Sequence, residues 1–226
     1  MPTRTVEAAR LAEYPFFARL EPATRERVAP LLVSREYAKR QIVYFPDETC
    51  DYVYWVIRGR VRVVRSGPEG REVNVALVGP GELFGESALE ESYRRGEYAE
   101  TLEIAALLLM RVEEFRKLCR LFPDLAFAVA SETGRKLRRA WDSLAEVSFW
   151  PVRRRLAAAL ERHMDPREQV VRLTHLDLGR LVMAARETVS AHLLRLEQAG
   201  ILELSHRSVR VRDPGRLHRL VTGEEP

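Results

Sequence analysis

Cysteine is scarce in this chain. Cys50 and Cys119 are the only two in 226 residues, far apart and in no CxxC. That excludes a disulfide framework, a cysteine-ligated iron–sulfur cluster and a cysteine zinc site. Histidine is missing from residues 1–162, since all five (His163, His175, His192, His206, His218) fall in the last third. No metal site and no cofactor are expected. Long apolar runs are missing as well. None approaches the ~18 residues of a membrane span, and no N-terminal signal pattern is present. The expectation is a soluble, cytoplasmic protein with no membrane partner. Lysine occurs three times, at Lys39, Lys117 and Lys136, and every other basic residue is arginine; Asn occurs once and Gln three times. A GC-rich genome explains the arginine bias, and few amide side chains fit a thermophile. A nucleophile motif is also lacking. The acid pair Glu90-Glu91 has no histidine or metal set near it to support acid–base chemistry. It reads as a solvated acidic loop, so no enzyme is expected.

What is present is enough apolar material for a core. The chain is 46% hydrophobic and 31% charged, which suffices for one large domain or two small ones. Net charge is only +4, but residues 146–226 hold 14 arginines against 11 acids. The last third is the more cationic part, which points towards a polyanion.

Residues 5–36 read as short helices around "YPFFARL" and "ERVAPLL". From about 41 to 110 the texture changes to alternation: "QIVYF", "YVYWVIRG", "RVRVVRSG", "REVNVALVG", with Gly or Pro as punctuation. That pattern predicts an antiparallel β-roll or barrel. "SGPEGR" carries the Pro and Gly of a hairpin turn. Asp124, after Pro123, can cap the helix that follows. In that helix Leu125, Val129, Leu137, Ala140, Trp141, Leu144 and Val147 recur mostly at three and four, flanked by Arg135, Arg138, Arg139 and Asp142. Such a stripe can pack on its own barrel. Its narrowness, over about six turns, favours a parallel seam with a second copy.

"FWPVRRRLAAALERHM" opens another helix, with Pro151 near its first turn. "MDPREQVVRL" links it to a strand. "THLDLGRLVMAARETVSAHLLRLEQAG" then gives two helices around a short break, the first capped by Thr174 with Asp177 at the box position, the second ended by Gly200. "ILELSHRSVRVRDP" is a short hairpin. Two helices and a hairpin make a winged helix-turn-helix, whose second helix enters the DNA major groove. Val189, Leu193 and Leu196 anchor the back of that helix, so Glu187, Ser190 and Ala191 face outward. Arg186 can present its guanidinium fork to guanine, Glu187 can accept from cytosine N4, and Thr188 lies beside them. Thr174, His175, His192, Arg195 and Arg207 stand where helix ends and wing meet phosphates.

The stretch "LTHLDLGRLV…RETVSAHLLRLEQAGILEL" resembles the C-terminal domain of the Crp/Fnr family of bacterial transcription regulators. Upstream, "YVYWVIRGRVRVVRSGPEGREVNVALVGPGELFGESAL" is similar to that family's cyclic-nucleotide-binding β-roll, including the turn at Gly59 and the Gly81-Glu82…Gly85-Glu86 block. The resemblance spans roughly residues 14–220. It implies an α+β chain: an N-terminal double-stranded β-helix, jelly-roll-like and of the cyclic-nucleotide-binding type (1–121), a long dimerisation helix (122–148) and a C-terminal winged helix-turn-helix (149–226). The dimer interface would comprise Leu125, Val129, Leu137, Ala140, Trp141 and Leu144. It further implies a homodimer on an inverted repeat of double-stranded DNA, half-sites about one helical turn apart, and contact with RNA polymerase, with activation favoured over repression.

The departures from the family matter as much. Nucleotide-binding members hold the ribose with the Glu of the Gly-Glu block and the cyclic phosphate with Arg-Ser or Arg-Thr. Gly85, Glu86 and Ser87 stand at the first element. The ungapped register puts Arg95-Gly96 at the second; a shifted one puts Tyr98-Ala99 there, and either way the hydroxyl is lost. The adenine-contacting Thr-Ser pair falls on Ala140-Trp141, where Ala cannot hydrogen-bond the base and Trp can fill its space. Each lost hydrogen bond to a buried polar ligand costs about 1–3 kcal/mol. The expectation is a degenerate effector pocket and a regulator independent of cyclic AMP. A different small-molecule effector, or redox sensing through Cys50 or Cys119, is the alternative. Haem-binding members often use a sensor-domain histidine, which residues 1–162 lack. In the reading helix Ala191 stands where a second Arg is common, Leu194 where a basic residue is common, and Met183 where the turn has Gly. A type I-like path would tolerate Met183.

Overall fold

The computed structural model describes residues 7–49, 51–70, 72–90, 94–206 and 208–224. They form two units, residues 1–138 and 139–226. In the first unit α1 (Ala8–Leu11) and α2 (Pro22–Val28) precede β1 (Val33–Tyr37), so the expected helical stretch gives way to strand four residues before its end. Eight strands follow one another: β1, β2 (Ile42–Tyr44), β3 (Tyr52–Arg58), β4 (Val61–Ser66), β5 (Glu72–Val78), β6 (Leu83–Phe84), β7 (Glu97–Thr101) and β8 (Ala105–Arg111). They make two four-stranded antiparallel sheets, β1-β8-β3-β6 and β2-β7-β4-β5. This is the antiparallel β-roll that the alternation predicted, in the double-stranded form that the resemblance implied.

The period of two explains both faces of the first sheet. Tyr54 and Val56 of β3, with Ala105, Leu107 and Leu109 of β8, point between the sheets into a core shared with Val61, Val63, Ala99 and Phe84. Val53, Trp55, Leu108 and Met110 point the other way. There they meet Phe16, Phe17, Phe115 of α3 (Val112–Leu121) and the first turns of α4 (Pro123–Phe149). Both faces are covered, which is why "YVYWVI" reads as nearly continuous apolar sequence.

The start of α4 corrects two expectations. Pro123 already belongs to the helix, and Asp124 lies in its first turn. The Asp124 carboxylate accepts from the Glu21 N–H at 2.8 Å and the Thr24 hydroxyl at 2.9 Å as well as from the Leu125 N–H, so it serves the N-terminus of α2 along with that of its own helix. Leu125 and Val129 do not join an outward seam. They are 0% and 8% exposed and complete the core beneath the first sheet with Ala128. The boundary between the units falls at 138/139, inside α4, where the expected segments ended at 121/122 and 148/149.

In the second unit α5 (Val152–His163) follows Pro151 as its N-cap residue. After a turn come β9 (Val170–Val171), α6 (His175–Val182), α7 (Arg186–Gln198), the hairpin β10 (Leu202–Ser205) and β11 (Ser208–Val211), and α8 (Pro214–Thr222). The hairpin pairs with β9 in a three-stranded antiparallel sheet. Leu156, Leu160, Leu178, Val189, Leu193 and Leu217 are all at most 1% exposed and form the back that holds the two middle helices. No helix among the described residues is long and apolar enough to cross a membrane.

Candidate nucleic-acid interface and effector pocket

The turn between α6 and α7 is built from three local choices. Thr174 caps α6: its hydroxyl accepts from the Asp177 N–H at 3.1 Å and donates to the Asp177 carboxylate at 2.6 Å, and that carboxylate takes the Thr174 N–H at 3.2 Å. This reciprocal box satisfies two otherwise orphaned N–H groups. Gly179 lets the helices approach, since a Cβ there would sit 2.8 Å from the Ala184 carbonyl oxygen. Met183 takes a left-handed backbone, φ 50° and ψ 51°. The type I-like path expected for it is therefore wrong. The Met183 backbone turns as glycine would, because α6 gives way to α7 within the three residues between Val182 and Arg186.

On α7 the back face is Val189, Leu193 and Leu196, at 0%, 0% and 3% exposure. Arg186, Glu187 and Thr188 are exposed in the first turn, and Ala191, Leu194 and Arg195 are exposed beyond it. Ser190 is not free, as its outward placement had suggested. It is half-buried, and its Oγ lies 2.9 Å from Nδ1 of His175, joining the first turn of α6 to α7. Burial, then the nearby Arg186 guanidinium, hold the His175 imidazole below its ordinary value of 6.5. Burial, then Arg195 and Arg153, do the same for His192. The Thr174 hydroxyl is committed to its cap. Arg207 lies outside the described residues.

The second candidate site is inside the β-roll. Gly85 is left-handed (φ 78°), and a Cβ there would lie 3.1 Å from the Tyr54 ring and 3.4 Å from Nη1 of Arg95. Arg95 is 2% exposed. Its guanidinium donates to the Tyr52 carbonyl at 3.0 Å and lies 3.8 Å over the Tyr44 ring, while its buried Nε has no partner. The ungapped register thus puts a cation in the roll, whereas Tyr98 of the shifted register donates to Glu72 at 2.7 Å. Burial raises the phenols of Tyr44 and Tyr54, the latter to about 12 despite Arg95. Glu86 accepts from Lys136 of α4 at 2.6 Å, and the same ammonium donates to the Leu83 carbonyl at 2.7 Å. Ser87 is exposed. Gly96 is exposed too, and a Cβ on it would lie 3.0 Å from Nη2 of Arg65. Ala140 is exposed and Trp141 is 62% exposed. Composition gave no signal for Lys136 or Arg65; only the fold brings them to Glu86 and Gly96. Burial pushes the Cys119 thiol up to about 11, and Cys50 lies outside the described residues. No group of three metal-ligating side chains occurs among the described residues.

A double-stranded β-roll followed by a winged helix-turn-helix in one chain defines a class of transcription regulator. Residues 34–121 match the cyclic nucleotide-binding domain and residues 154–220 the Crp-like helix-turn-helix domain. The chain is 32% identical over 213 residues to the cyclic AMP receptor protein of Thermus thermophilus, covering 92% of this chain and 97% of that one. It is 28% identical to a CRP-like cAMP-activated global transcriptional regulator of Mycobacterium tuberculosis, with the same coverage. A solved transcriptional regulator of the CRP family, also from Thermus thermophilus, is 25% identical, with a TM-score of 0.73 over 83% of this chain and 96% of that one. The chain belongs to the Crp/Fnr family of transcriptional regulators.

Proposed function

We propose that the protein is a cytoplasmic homodimer that reads an inverted repeat in double-stranded DNA without cyclic AMP, acting as an activator through RNA polymerase. In this reading 1–121 is the sensor, 122–148 joins the copies and 149–226 reads DNA. Arg186, Glu187 and Thr188 face base edges, while His175, His192 and Arg195 stand near phosphates.

A stripe on α4 supports the pairing. Phe127, Ala130, Gly134, Leu137, Trp141, Leu144 and Ser148 alternate at three and four and are all exposed. Phe127, Leu137, Trp141 and Leu144 are 73%, 48%, 62% and 65% exposed, and a Cβ on Gly134 would meet nothing within 4 Å. A sustained 3–4 repeat of exposed apolar residues is the seam of a parallel helix pair. The apolar stripe runs on beyond Leu125 and Val129, on a different face from theirs.

Independence of cyclic AMP rests on the roll. Of the groups that hold a cyclic nucleotide in the family, the cation is kept at Arg95, while the ribose carboxylate is engaged with the chain itself and the hydroxyl and the base contacts are lost. Glu86 is bound by Lys136, and Gly96 has no hydroxyl to offer a phosphate. Ala140 offers no polar atom to a base. Calorimetric titration with cyclic AMP and cyclic GMP tests this: no binding at micromolar concentrations is expected, together with specific DNA binding by the protein alone. Micromolar nucleotide affinity that raises DNA affinity overturns it.

One observation favours a second reading, a regulator gated by another anionic small molecule. Arg95 is a buried cation with no carboxylate partner among the described residues. A thermal shift induced by a metabolite extract, and abolished in Arg95→Met, would establish it. The redox reading is weaker, because a thiol raised to about 11 is a poor nucleophile at neutral pH.

A further inference from the structure

The outward ridge of α7 is more apolar than a DNA-facing helix requires. Glu187, Ala191, Leu194 and Gln198 follow one another at four, three and four residues, opposite the buried Val189, Leu193 and Leu196. All four are exposed. Leu194 is 51% exposed, with Arg195 exposed beside it. Arg186 is exposed in the first turn, beside the ridge. The ridge therefore runs from charged (Arg186, Glu187) to apolar (Ala191, Leu194), with cation on its flank. A leucine in that place cannot donate to a base or a phosphate. It can only bury itself against carbon. In the major groove the carbon that distinguishes one base from the others is the thymine C5-methyl.

We infer that Ala191 and Leu194 form a thymine-methyl reader, so that this protein recognises A·T or T·A through apolar contact next to the pairs read by Arg186 and Glu187. The inference rests on the DNA-reading function proposed above. Three features of the site argue for bases as the occupant, not a protein surface. The apolar strip is only two side chains wide. It continues directly from a charged pair suited to guanine and cytosine. Exposed arginines flank it, as a polyanion requires.

The test begins with selection of preferred duplexes from a random pool by the purified full-length protein, with and without cyclic AMP. Each thymine of the selected half-site is then replaced in turn by deoxyuridine, which removes the methyl and leaves every hydrogen-bonding group in place. Affinity is measured by fluorescence anisotropy for the wild type and for Leu194→Asn. Loss of one buried methyl is expected to weaken wild-type binding about three- to fivefold at one thymine, with no such penalty in Leu194→Asn. Leu194 is exposed, so the variant should fold, and an unchanged melting temperature verifies it. Specific binding with no uracil penalty at any position, a half-site with no thymine beside the Arg186 and Glu187 pairs, or a penalty that persists in Leu194→Asn overturns the inference alone. Absence of any sequence-specific binding overturns the DNA-reading function with it.

Discussion

Met183 shows how a single side chain can be tolerated where glycine is easier. Its left-handed backbone is set by the short connection between α6 and α7, and a left-handed L-residue costs about 1–2 kcal/mol. The side chain is 47% exposed, so little packing is lost on its removal. Met183→Gly should raise the stability of the second unit by about 0.5–1 kcal/mol, after the larger chain entropy of unfolded glycine is set against the relieved strain. Chemical denaturation of the two proteins reads the difference, and a destabilised glycine variant would mean that Met183 packs against something essential. Arg186 is the residue on which the proposed base reading turns. Arg186→Ala should cost about 1–3 kcal/mol of DNA affinity and relax preference at one base pair. If binding instead weakens equally on all sequences, with a shallower salt dependence, Arg186 touches phosphate and not guanine.

At the scale of elements, α4 has two apolar faces with different duties. Leu125, Ala128 and Val129 belong to the roll, while Leu137, Trp141 and Leu144 are about half to two-thirds exposed. Leu125→Ala should therefore cost about 2–5 kcal/mol in folding stability. Leu144→Glu should leave the roll folded and shift sedimentation towards monomer. The reverse assignment would show in the reverse pattern. Apolar spacing announced this helix but could not sort its faces, because a period near 3.6 is the same whether the stripe meets its own sheet or a second copy. The strands, the Thr174–Asp177 cap and the end at Gly200 were legible, since each depends on neighbours in sequence. The Lys136–Glu86 contact and the Arg65 guanidinium at Gly96 were not, since they join residues far apart in the chain. The pair α6 and α7 makes a pH prediction of its own. Burial first, and neighbouring arginines second, keep His175 and His192 below 6.5 in the folded state. As pH falls through about 6.5 the unfolded chain takes up protons that the folded chain refuses, so stability of the second unit declines. The decline ends once pH is below the folded values. Melting temperatures between pH 7.5 and 5 should drop, and the drop should shrink in a His175→Gln, His192→Gln variant.

For the whole molecule, the proposed function requires the stripe on α4 and the ridge on α7 to act together, because each reading helix alone would cover only a few base pairs. In the proposed dimer, two copies joined along residues 127–148 would bind two half-sites as one event, and the second contact would benefit from the high local concentration that the seam enforces. That coupling depends on the phase of the duplex. Inserting about five base pairs between half-sites turns the second one to the opposite side of the helix. Binding to the spaced operator should then fall to the level of a lone half-site, a loss of about a hundredfold. The slope of log affinity against log salt should shrink at the same time, as fewer phosphates are neutralised. In Leu144→Glu the native and spaced operators should bind equally, both at the weak level, since the copies no longer arrive as a pair. Equal binding of the two operators by the wild-type protein would mean that each chain reads DNA on its own, and that the exposed stripe of α4 serves some purpose other than joining two readers.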